Sequence, residues 1–102
     1  MKTLFKNGTV VTGESKKKLD VLVSGEKIVR VAPHIRDAEA RVVDCTGKLL
    51  LPGFIDAHTH FDLDVCNTTT VDDFTSGSRA ALRGGTTTVI DFACPNKGET
   101  LQ

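Results

Sequence analysis

Pro52-Gly53-Phe54-Ile55-Asp56-Ala57-His58-Thr59-His60 is where this 102-residue chain changes character. The Pro-Gly pair interrupts what precedes it. Phe54-Ile55-Asp56-Ala57 then has the pattern of a strand that ends in His58-Thr59-His60 and gives way to a loop through Thr70. A helix is predicted next. Asp72 and Asp73 suit its positive N-terminal end, Phe74, Gly77, Ser78, Ala81 and Leu82 recur at helical spacing on one side, and Gly84-Gly85 supplies the stop. Thr86-Thr87-Thr88-Val89-Ile90-Asp91-Phe92 is β-branched and predicts a second strand. Strand, helix and strand make a βαβ unit, whose two strands are expected to be parallel neighbours. The fold class is therefore α/β. The two-stranded sheet has edges that nothing later in the chain covers, so the chain is expected to be one piece of a larger architecture.

Upstream, short aliphatic runs alternate with turn formers. Thr9-Val10-Val11, Val21-Leu22-Val23, Ile28-Val29-Arg30-Val31 and Val42-Val43 are expected strands, separated by Lys6-Asn7-Gly8, Thr12-Gly13-Glu14-Ser15, Ser24-Gly25-Glu26 and Thr46-Gly47. This pattern predicts a β-meander from Leu4 to Leu51. Lys16-Lys17-Lys18, the one basic run, is expected in a solvated turn.

Charge and cysteine usage narrow the function classes. Residues 1–50 carry ten Lys/Arg against six Asp/Glu, and residues 51–102 carry three against seven. The acidic second half gives no electrostatic footing for nucleic acid. Three cysteines, Cys45, Cys66 and Cys94, without paired spacing are expected to be free thiols in a reducing compartment, which points to the cytoplasm. The longest apolar stretch, Leu49 to Leu51, stops at Pro52, so neither a membrane span nor a secretory leader is expected.

The chemistry sits at the end of the first parallel strand. Side chains alternate along a strand, so His58 and His60 project to one side roughly 7 Å apart, close enough for two imidazoles to meet one ion. Asp56 shares that parity, and its carboxylate is expected to accept a ring N–H and fix the tautomer. The carboxyl ends of strands in parallel α/β folds are where such folds place their sites.

The run Leu51-Pro52-Gly53-Phe54-Ile55-Asp56-Ala57-His58-Thr59-His60-Phe61 resembles the amidohydrolase signature P-G-x-x-D-x-H-x-H. Further on, His60-Phe61-Asp62-Leu63, Asp72-Asp73-Phe74, Gly77, Arg79-Ala80-Ala81 and Gly84-Gly85-Thr86-Thr87-Thr88 are similar to the dihydropyrimidinase and hydantoinase family of that superfamily. Phe5-Lys6-Asn7-Gly8-Thr9-Val10-Val11 resembles the first strands of the small β-sandwich that flanks the barrel in those enzymes. The resemblance implies part of a β-sandwich over residues 1–51. Residues 52–102 would then begin a TIM-type (β/α)8 barrel with its first βαβ unit.

It also implies hydrolysis of a C–N bond in a small cyclic amide or ureide by two divalent metal ions, zinc by resemblance, bridged by a hydroxide and a carboxylated lysine. His58 and His60 would be metal ligands. Leu63 and Val65 would offer apolar contact to a neutral substrate. The resemblance further implies a homo-oligomer, a tetramer. Related expectations are a dihydroorotase or allantoinase with the same metals and another ring, and a non-catalytic dihydropyrimidinase-related scaffold. The histidine pair speaks against the scaffold.

No catalytic acid or base is expected within this chain. The only lysine after the pair, Lys97, lies in the polar Pro95-Asn96-Lys97-Gly98-Glu99 stretch, and no third histidine follows. The chain alone is accordingly expected to be inactive. His34, beside Pro33, is expected in a surface turn, Asp91 to make a structural hydrogen bond, and Cys66 to be a loop residue without a metal.

Overall fold

The computed structural model describes residues 1–100, mostly strands with one helix. Contacts divide the chain into two compact units, Met1–Pro52 and Gly53–Gln102.

The first unit is built from seven short strands in two sheets. Four of them, β1 (Lys2–Lys6), β4 (Asp20–Ser24), β5 (Lys27–Ala32) and β6 (Arg41–Asp44), lie in the order β5-β4-β1-β6. The other three, β2 (Thr9–Val11), β3 (Lys16–Lys18) and β7 (Leu49–Leu50), lie in the order β3-β2-β7. Leu4, Leu22 and Ile35 form the buried centre, with Ala32 and Ala40 packed against it. The apolar sides of both sheets, among them Phe5, Val21 and Val31 from one and Val10 and Leu50 from the other, line a cavity of about 320 Å³.

This arrangement corrects the expected meander. The β1–β4, β4–β5 and β2–β3 pairs are antiparallel, but β1 pairs with β6 and β2 with β7 in parallel. After β1 the chain crosses to the other sheet through Asn7, at a φ of 62°. It is back in the first sheet at β4, and residues 33–40 then join β5 to β6 within that sheet, with Ile35 buried at 1% exposure in the cluster with Leu4 and Leu22. Local turn chemistry marks where a strand stops. It does not show which strand becomes the neighbour.

Lys16–Lys18 is likewise corrected, from a turn to the edge strand β3 with all three residues exposed. Charged lysines on an edge oppose pairing with another chain.

In the second unit, β8 (Phe54–Thr59) and β11 (Thr86–Asp91) are parallel neighbours with α1 (Phe74–Gly84) between them in sequence. The expected loop after His60 contains a small hairpin, β9 (Asp64–Val65) and β10 (Thr68–Thr69), turned by Cys66 and Asn67 at φ of 52° and 60°. Two successive left-handed residues match the twist of a tight antiparallel turn. Asp73 caps α1, its side chain accepting the backbone N–H of Ser76 at 2.7 Å. Gly85 closes the helix at a φ of 92°, its N–H returned to the carbonyls of Ala81 and Leu82. The N-terminal acid and C-terminal glycine thus act as the sequence predicts.

Candidate metal centre

The register between β8 and β11 is interrupted just before the histidines. Val89 stands opposite Asp56 and Asp91 opposite Thr59, so the single residue Ile90 of β11 faces two residues of β8. The extra residue is a bulge at Ala57-His58, a device that bends a strand and re-aims a side chain. Asp56 supports it. Its Oδ1 accepts the backbone N–H of His58 at 3.2 Å. A short acidic side chain reaches the main chain two residues on more readily than a ring. Asp56 therefore meets His58 through the backbone N–H, where a ring contact was expected.

The two imidazoles converge. His58 Nε2 and His60 Nε2 are 3.1 Å apart, with ring centroids separated by 5.0 Å and planes at 79°. Two nitrogens bound to one tetrahedral zinc at about 2.0–2.1 Å would be roughly 3.3 Å apart, so both Nε2 atoms can serve one ion with a small opening of the pair. The chemistry of the donors fits a metal of that class. Among the described residues no group of three or more His, Cys, Asp or Glu is placed to hold a metal.

Phe92, which sequence reasoning left out of the site, is packed on both rings. Its ring centroid is 4.6 Å from that of His58 and 4.9 Å from that of His60. The signal was available. Phe92 follows the second parallel strand directly, at the same end of the sheet as the histidines.

Asp91 makes the structural bonds expected of it. Its Oδ1 accepts the hydroxyl of Thr59 at 2.8 Å and the backbone N–H of Phe61 at 3.0 Å. Leu63 is half-buried and lines a cavity of about 350 Å³ together with Phe61, Asp62, Phe74 and Phe92. Val65 is on β9 and borders a different cavity, of about 430 Å³, beside Cys66 and Asn67. The structure thus brings Leu63 to the space next to Phe92 and places Val65 apart from it. His34 is exposed beyond β5, and Lys97 is exposed in its turn. Cys45 is buried, Cys66 and Cys94 are exposed, and all three are free thiols. No helix among the described residues is long and apolar enough to cross a membrane.

Comparison with known proteins gives the relatives of the chain. The amidohydrolase family matches residues 49–98. A dihydropyrimidinase of Dictyostelium discoideum is 50% identical over 99 residues, covering 96% of this chain and 20% of the relative. A D-hydantoinase of Geobacillus stearothermophilus is 46% identical over 102 residues, covering 100% of this chain and 22% of that relative. The crystal structure of a dihydropyrimidinase from Brevibacillus agri superposes with a TM-score of 0.94 at 46% identity, over 99% of this chain and 22% of that one. This chain therefore spans about a fifth of the length of the curated relatives it matches. By sequence and by structure, the chain belongs to the dihydropyrimidinase and D-hydantoinase family of amidohydrolases.

Proposed function

We infer that the protein carrying this chain hydrolyses a C–N bond of a cyclic amide or ureide, such as a dihydropyrimidine or a 5-substituted hydantoin. His58 and His60 are two ligands of its divalent metal, zinc. The observation that carries this is the 3.1 Å approach of the two Nε2 atoms at the carboxyl end of β8. A bound ion of this kind lowers the pKa of a water and polarises the amide carbonyl, which resonance otherwise makes a poor electrophile. The chain's own residues bind and orient. Asp56 holds the bulge that presents His58, and Phe92 walls the two rings. Leu63 gives apolar contact to a ring substituent, and Asp62, lining the same cavity, repels an anionic one.

The family resemblance supports two ions bridged by a carboxylated lysine, which Lys97 in its exposed turn does not suit. That lysine and the proton shuttle belong to other parts of the protein, and this chain alone has no turnover. The β8-α1-β11 succession with parallel strands is read as the first βαβ unit of a TIM-type barrel, after a sandwich portion over residues 1–51. Free thiols suit a cytoplasmic protein, and the family resemblance implies a tetramer.

The test is turnover by the zinc-loaded protein that contains this chain. Dihydrouracil or a 5-substituted hydantoin should exceed dihydroorotate by about two orders of magnitude or more in kcat/KM, and H58A and H60A should lose turnover. A preference for dihydroorotate would overturn the substrate assignment. Undiminished turnover in both variants would overturn the site.

A further inference from the structure

We propose that Asp91 is a positioning residue for His60, holding its imidazole against His58 by clamping the residues on either side of it. The proposal rests on the metal-site reading above, and adds to it how the second ligand is held.

β8 ends at Thr59, so His60 lies beyond the strand and has no ladder pairing to fix it. Its two neighbours share one acceptor. Asp91 Oδ1 takes the Thr59 hydroxyl at 2.8 Å and the Phe61 backbone N–H at 3.0 Å, and these donors bracket His60 in the chain. The Phe92 N–H adds a main-chain bond to the Thr59 carbonyl at 3.2 Å. The end of β11 therefore holds the backbone around His60 through Asp91 and packs its ring through Phe92.

An oxygen committed to two donors that take no part in hydrolysis is suited to holding geometry. Charge-assisted bonds of this kind are shorter and stronger than neutral ones. Partners that orient a metal ligand typically change metal affinity 10–100-fold when removed, and a clamp acting through the backbone falls under the same reasoning.

Two readouts test the clamp: zinc affinity by calorimetric titration with zinc chloride, and NMR contacts between the His60 and Phe92 rings in the metal-free chain. Thr59→Val keeps the side-chain shape and removes one donor, and Asp91→Ala removes the acceptor. Both should weaken zinc binding about tenfold or more and lose the ring contacts. Thr59→Ser and Asp91→Asn each retain a hydroxyl donor or an Oδ1 acceptor and should restore both. Thr59→Val keeps the test valid even if Asp91→Ala fails to fold. Ring contacts unchanged in Thr59→Val would overturn the clamp. Zinc affinity unchanged in H58A and H60A would instead overturn the metal reading, and the ring contacts would still decide the clamp.

Discussion

The ring of Phe61 occupies the space that a side chain on Gly77 would need. A Cβ on Gly77 would stand 2.4 Å from Phe61 Cε1 and 2.6 Å from Cδ1, well inside van der Waals contact. Gly77 is the buried residue of α1, and Phe61 completes the contact with an edge-to-face approach to Phe74 at 5.7 Å. The residue directly after the second proposed ligand is thus seated on the helix. Glycine at this point of the helical stripe is what permits it.

Gly77→Ala sets two effects against each other. Alanine favours a helix interior over glycine by about 1 kcal/mol. Overpacking costs typically about 1–3 kcal/mol, and the Phe61 ring that would have to yield also packs edge-to-face on Phe74. The overlap should win, lowering stability by about 1–2 kcal/mol in urea unfolding, and a smaller residue at position 61, as in F61L, should recover part of it. A stabilised Gly77→Ala protein would show that the ring is free to move.

The helix between the parallel strands was legible from Asp73, Gly85 and the spacing of Phe74, Gly77 and Ala81, because caps and periodicity are local properties. Strand alternation suggested that His58 and His60 share a side, but their approach to 3.1 Å rests on more than alternation, since His60 lies just beyond β8. The bulge at Ala57-His58 was not legible. It depends on the register with β11, and nothing in either strand by itself announces that two residues will face one. Nor was the topology of the first unit legible, since the parallel β1–β6 and β2–β7 pairs join strands far apart in sequence, which local turn signals do not encode. Phe92 was legible in principle, as the residue directly after the second parallel strand, but was overlooked because an aromatic ring is not itself a metal donor.

Asp20 is the buried acid of the first unit, at 2% exposure. Burial disfavours its charge, but the backbone N–H groups of Ile35 at 3.0 Å and Asn7 at 2.9 Å, with Lys6 and His34 nearby, outweigh that and hold its pKa below the ordinary carboxylate value. A group whose pKa is depressed by folding stabilises the fold above its unfolded value, 3.8, and loses that contribution as pH falls through the folded value. Stability of the first unit should therefore fall as pH is lowered from about 5 to below 3.8. Asp20→Asn, which keeps one acceptor and places an amide against the other N–H, should be less stable at pH 7 by about 1–3 kcal/mol and should show a flatter acid limb. Identical acid limbs for the two proteins would contradict this account.

The central claim is that His58 and His60 meet on one ion, and X-ray absorption at the zinc edge measures that directly. On this chain loaded with one equivalent of zinc, the account predicts two imidazole nitrogens at about 2.0–2.1 Å, with either H58A or H60A reducing the count to one and weakening uptake. A spectrum with a single imidazole in the unsubstituted chain, or two imidazoles persisting in both variants, would show that the 3.1 Å approach of the rings is not a metal site.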